Sequence, residues 1–163
     1  MTVEKTRSFP KFVVRLHSME EHIFEKKGCV MALDVGSKRI GIAISDATRT
    51  IAGSYGVVPR QSRQEDFARY RRIIAEEEVT LLVVGLPTRS DGSDSTIAAW
   101  IRDYTAAFSQ TTSIPIEFWD ESFTSMQAEE SLALRGKRGK KAKERVDAVA
   151  AAFILQSYLD AHA

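Results

Sequence analysis

Asp34, Glu121 and Asp147 are carboxylates at the ends of apolar runs or inside an apolar helical pattern, where an unpaired ion is costly. Asp34 closes the run that starts at Val30, Glu121 follows the run ending at Trp119, and Asp147 stands between Val146 and Val149. Isolated, such acids go neutral; gathered together, they repel unless a divalent cation holds them. Oxygen ligands without nearby His or Cys favour a hard ion, Mg²⁺ or Mn²⁺, over zinc. The histidines, His17, His22 and His162, lie in terminal segments, which disfavours histidine acid and base chemistry. Two such ions about 4 Å apart activate a water and stabilise the leaving oxygen of a phosphodiester. The chemistry implied is metal-assisted phosphodiester hydrolysis.

Each acid also has a plainer reading. Asp34 can cap a hairpin turn, and Asp147 can be the N-terminal dipole partner of its helix. Asp120 is as acidic as Glu121, but strand alternation points neighbouring residues to opposite sides.

A polyanionic substrate needs basic contacts. Lys38 and Arg39 lie in the turn after Asp34. The stretch from Arg135 to Arg145 holds seven basic residues and one acid, Glu144, and leads into the helix bearing Asp147. Its Lys137, Arg138, Lys140, Lys141 and Lys143 are candidate nucleic-acid contacts; the plainer reading is a solvated, mobile loop. The segment Gly85-Leu86-Pro87-Thr88-Arg89-Ser90-Asp91-Gly92 leaves a buried strand at its C-terminal end, where α/β proteins place binding loops, and Arg89 is its phosphate candidate.

The elements that must position these residues follow from hydrophobic spacing. Val30 to Asp34, the turn Gly36-Ser37-Lys38 and the alternation Ile40, Ile42, Ile44 predict a β-hairpin. A third strand is expected near Tyr55 to Val58, stopped by Pro59. Phe67, Tyr70, Ile73 and Ile74 predict an amphipathic helix over 63–78. The continuous run Leu81 to Val84 predicts a strand covered on both faces. A helix through Ile97, Trp100, Ile101, Tyr104 and Phe108 follows, then a strand from Ile114 to Trp119. Thr124 with Gln127 matches a capping box for a helix to about Leu134, and a last helix runs from about Lys143 to Tyr158. The class is α/β, with a mixed five-stranded sheet, three antiparallel N-terminal strands and flanking helices. Adjacent strands would bring Asp34 and Glu121 together at one sheet edge.

With 163 residues the chain suits one domain; its net charge of +1 gives no global sign of nucleic-acid or membrane affinity. Cys29 is the single cysteine, which excludes an internal disulfide and a cysteine-rich zinc site. No apolar stretch spans a bilayer and no signal-peptide core opens the chain, so a cytoplasmic location is expected. Residues 1–28 are read as an N-terminal extension without assigned role, and 29–160 as the functional domain.

Together these motifs resemble the YqgF family, described as Holliday-junction-resolvase-like proteins and as nucleases maturing the 5′ end of pre-16S ribosomal RNA. The resemblance covers roughly residues 30 to 160: Leu33-Asp34-Val35-Gly36 with Lys38-Arg39-Ile40-Gly41, Gly85-Leu86-Pro87 with Asp91-Gly92, Asp120-Glu121, and Val146-Asp147 with Ala150-Ala151. It implies a ribonuclease H-like fold, Asp34, Glu121 and Asp147 as catalytic metal-binding carboxylates, and a role in ribosome biogenesis. One departure is Ser122, where the family carries arginine; Arg89 is the residue that could replace that contact.

Other classes fare less well. A P-loop is excluded because Ile42 stands where lysine is required after Gly41, and no Gly-x-Gly-x-x-Gly exists. An actin-like ATPase needs a second domain that the length does not allow. A nucleic-acid-binding module without turnover stays open, as does branched DNA in place of structured RNA. Resolving a junction takes two symmetric cuts and hence usually a dimer, whereas trimming one RNA end needs a monomer; the sequence leaves this open.

Overall fold

The computed structural model describes residues 28–87, 96–120 and 140–163, with side chains in the last stretch from residue 148 onward. In chain order the elements are β1 (Cys29–Val35), β2 (Arg39–Ser45), β3 (Ala52–Pro59), α1 (Arg63–Glu76), β4 (Val79–Leu86), α2 (Thr96–Ser109), β5 (Ile116–Asp120) and α3 (Lys140–Ala161). They form one five-stranded sheet in the order β3-β2-β1-β4-β5. β1 with β2 and β2 with β3 pair antiparallel, while β4 pairs parallel to β1 and β5 parallel to β4.

Alternation sorts the side chains onto two faces. Met31, Leu33, Val35, Ile40, Ile42, Leu82, Val84 and Leu86 pack under α1 and α2 through Phe67, Tyr70, Ile101, Tyr104 and Phe108. Val30, Ala32, Ala43, Leu81 and Val83 meet Ala151, Ile154, Leu155, Tyr158 and Leu159 of α3. Strands covered on both sides must be apolar at every position, which explains the unbroken runs in β1 and β4. Each large side chain so buried contributes about 1.5–3 kcal/mol.

The ends of the elements have local causes. Ser62 caps α1 in a complete capping box with Glu65. The helix stops at Glu76, short of the expected residue 78, and Glu78 takes a left-handed φ of 52° that turns the chain into β4. Strand β3 is longer than its apolar residues suggest: Gly53 and Ser54 are poor strand formers, yet β2 offers partners from Arg39 to Ser45. Pro59 is tolerated because β3 is an edge strand. The helix expected from Thr124 to Leu134 lies outside the described residues.

The topology corrects one expectation. β1 and β5 are not adjacent; β4 lies between them. Each βαβ crossover adds its strand outward from β1, so Asp34 and the end of β5 share an edge but stand two strand spacings apart, about 10 Å.

Candidate active site

The parallel strands β1, β4 and β5 all end on one edge of the sheet, at Val35, Leu86 and Asp120. Leu33 and Val35 are buried under α1 and α2, so Asp34 between them belongs to the α3 face, where it is half-buried. Its partner on β2 is Gly41. On the other side Leu33 pairs with Val84, so Gly85 follows on β4 where Asp34 follows on β1. The carboxylate therefore stands on a strand whose neighbours on both sides carry no Cβ. Gly41 and Gly85 are both buried, and large residues there would crowd the acid.

The hairpin turn brings basic residues close. Gly36 N–H donates to the Arg39 carbonyl at 2.9 Å, and a Cβ on Gly36 would meet that same oxygen at 2.8 Å, so the tight turn requires glycine. Lys38 is exposed at the tip. Arg39, two residues from Gly41 along β2, shares the face of Asp34 and is half-buried opposite Pro59.

From β5, Trp119 faces α3 and donates its indole N–H to Ser157 Oγ at 3.1 Å. Glu117, on the same side, accepts from the Tyr158 hydroxyl at 2.8 Å; burial and that carboxylate push the phenol above its ordinary range. Asp120 pairs with Leu86, a residue of the α1 and α2 face, and so lies across the sheet from Asp34.

Of the residues the sequence singled out, Asp34, Lys38 and Arg39 are gathered at this edge. Asp147 lies in α3, four residues before Ala151 and seven before Ile154, both fully buried against the sheet. Lys140, Lys141 and Lys143 occupy the start of the same helix. Glu121, Arg89, Lys137 and Arg138 lie outside the described residues. Among the described residues no three His, Cys, Asp or Glu side chains form a metal-sized group. Gly41 and Gly85 are placed beside Asp34 only by strand register; in the sequence, a glycine interrupting a strand pattern is the signal that marks them.

A family model described as "RuvX: Holliday junction resolvase" matches residues 28–161. The chain belongs to the RuvX family. A Chloroflexus aggregans protein named "Putative pre-16S rRNA nuclease" is 40% identical over 132 residues, 81% of this chain and 93% of that protein. Proteins of the same name from Thermoanaerobacter pseudethanolicus and Cereibacter sphaeroides are 39% and 37% identical, covering 80% and 88% of this chain and 95% and 91% of their own lengths. Among solved structures, Thermus thermophilus RuvC in complex with a Holliday junction substrate aligns with a TM-score of 0.50 at 14% identity, over 83% of this chain and 95% of that one. A fowlpox virus resolvase bound to Holliday junction DNA aligns with a TM-score of 0.51 at 10% identity, over 82% and 98%. At that identity the likeness concerns the fold, which is RuvC-like within the ribonuclease H-like class. Among the described residues of this RuvX protein no helix is long and apolar enough to cross a membrane.

Proposed function

We propose that this RuvX protein is a metal-dependent endonuclease that hydrolyses phosphodiester bonds in structured RNA and processes the 5′ end of pre-16S ribosomal RNA. The observation that carries the reading is Asp34 on the C-terminal sheet edge, flanked by Gly41 and Gly85 and bordered by Lys38 and Arg39. The name shared by relatives at about 40% identity supports the substrate. The nuclease domain is proposed to span residues 29–160, with 1–28 as an extension, and its place of action is the cytoplasm, where a single unpaired cysteine is at home.

The catalytic set is proposed as Asp34, Glu121 and Asp147. Asp34 comes from the sheet and Asp147 from the helix that covers the same face, while Glu121 directly follows β5. Because β4 separates β1 from β5, the set must bridge about 10 Å, and Gly85 keeps side-chain bulk out of that gap. The donor set is all oxygen, and glycines on both neighbouring strands keep Cβ atoms away from Asp34, which suits Mg²⁺ or Mn²⁺. Such ions supply Lewis-acid polarisation of the phosphoryl group and a more acidic attacking water. Asp34, Glu121 and Asp147 would hold the ions, and Lys38 and Arg39 would grip the neighbouring phosphates, with Arg89, Lys137, Arg138, Lys140, Lys141 and Lys143 as further proposed contacts.

A second reading, cleavage of four-way DNA junctions, is favoured by the description of the family. One experiment separates the two: purified protein is incubated with a labelled precursor-like RNA and with a four-way DNA junction, in Mg²⁺ or in EDTA. The proposal expects RNA cleavage in Mg²⁺ and none in EDTA. Symmetric junction cuts with intact RNA favour the second reading, and binding of both without any metal-dependent cut contradicts the enzyme.

A further inference from the structure

Beyond Lys38 and Arg39, a third basic residue is built into this edge from the opposite side of the sheet. Arg39 pairs with Pro59, and the ladder continues one step as the Arg60 N–H donates to the Lys38 carbonyl at 2.9 Å. Residue 60 is thus fixed beside the hairpin tip. Its guanidinium lies over the Trp100 ring of α2, 4.3 Å from the centroid. That ring sits 5.0 Å from the Tyr104 ring, and the Tyr104 hydroxyl donates to the fully buried Asp66 carboxylate at 3.0 Å. The stack is therefore anchored in the core between α1 and α2.

Two arginines in this cluster differ in their partners. Arg63, 5.7 Å over the Tyr104 ring, is paired with Asp103 at 2.7 Å. Arg60 meets no carboxylate among the described residues; its side-chain hydrogen bond is a long one, 3.4 Å to the Gly36 carbonyl. A guanidinium stacked on an aromatic face keeps its in-plane donors while losing rotamer freedom, which lowers the ordering cost of gripping a phosphate. Arg39 shares the face of Asp34, Lys38 stands at the tip, and Arg60 lies toward α2. The three basic side chains wrap the edge from one face of the sheet to the other.

We propose that Arg60, seated on Trp100, extends the contacts of Lys38 and Arg39 into a longer phosphate-contact strip, so that RNA bound at Asp34 continues past the cut and turns over the sheet edge toward α2. This deepens the nuclease reading and rests on Asp34 marking the cut. The substrate class it selects is RNA with strand to spare on one side of the scissile bond, not a fragment ending there.

The test is binding of the full chain in EDTA, read by fluorescence anisotropy over a salt series. The probes are a precursor-like RNA and two versions trimmed close to the cut on either side. Arg60→Gln is expected to weaken binding of the untrimmed RNA by about 3- to 10-fold and to reduce the slope of log Kd against log salt by about 0.7–1. The difference should vanish for one trimmed version only. Arg60→Lys, which keeps the charge, should restore most of the slope, a result that a purely structural staple would not give. An unchanged slope for Arg60→Gln, or an equal loss on all three RNAs, overturns the strip. Because no cleavage is read, failure here leaves the nuclease reading standing, and failure of Asp34 as the cutting residue leaves the binding result standing.

Discussion

Asp34 near the end of β1 and Asp46 just after β2 stand at opposite ends of the same sheet, and their surroundings differ. Asp46 ends β2 in the turn that leads to β3. One of its oxygens accepts the N–H groups of Thr50 and Ile51 at 2.8 and 2.9 Å, and the other is bonded by the Thr48 hydroxyl. These donors, the Ile51 N–H foremost, pull its carboxyl down to about 2. The neighbouring Arg49, at a left-handed φ of 57°, donates to the Gly28 carbonyl at 2.9 Å and to Thr80 Oγ1 at 2.8 Å. Asp46 is closed by its own turn. Asp34 stands on a strand between Gly41 and Gly85, with the turn's basic residues beyond it, so the positions directly beside it on both neighbouring strands carry no Cβ. A charge at a strand end is informative only once its flanks are known.

The contrast can be broken at several points. Among changes around the two aspartates, the largest effect is expected from Gly41→Ala, which sets a methyl beside Asp34: cleavage should fall by about tenfold or more, within the range that an ångström of misplacement costs. Single-turnover rates check it, and an unchanged rate would remove the bare flank from the account. At the other end, a Cβ on Gly28 would lie 2.4 Å from Thr80 Cγ2 and 2.7 Å from its Oγ1. Gly28→Ala should therefore destabilise by about 1–3 kcal/mol in denaturant unfolding, with Thr80→Gly relieving part of the loss and cleavage per folded molecule unaltered.

Asp46 yields a pH prediction. Its carboxyl is more acidic in the folded chain than in the unfolded one, so its contribution is fully present above the ordinary carboxylate range and disappears as pH falls toward about 2. Asp46→Ala should lower Tm at neutral pH, remove that part of the acid-side fall and leave cleavage intact; lost cleavage would erase the distinction between the two aspartates. The smallest effect is at Glu78, whose φ of 52° suits glycine. Glu78→Gly is expected to stabilise by about 0.5–1 kcal/mol in the same unfolding assay, since it also removes an acid from a helix C-terminus.

The strands and helices were legible because their burial is periodic: Leu81 to Val84 announces two covered faces, and Phe67, Tyr70 and Ile73 announce one. Local pattern does not encode strand order, so the placement of β4 between β1 and β5 came only with the structure. The acid at Asp34 could be read from its position at the end of an apolar run, whereas its glycine flanks belong to two other strands and depend on register. The Arg60–Trp100 stack joins residues 40 apart through tertiary packing, and neither residue type at its own position suggests the other.

The most direct test compares Asp34→Asn with the unaltered chain on a precursor-like RNA in Mg²⁺, with Tm measured on both. The account predicts a loss of cleavage beyond about 100-fold, larger than loss of an outer supporting group causes, with Tm nearly unchanged. A variant that folds and cleaves at the original rate would contradict it.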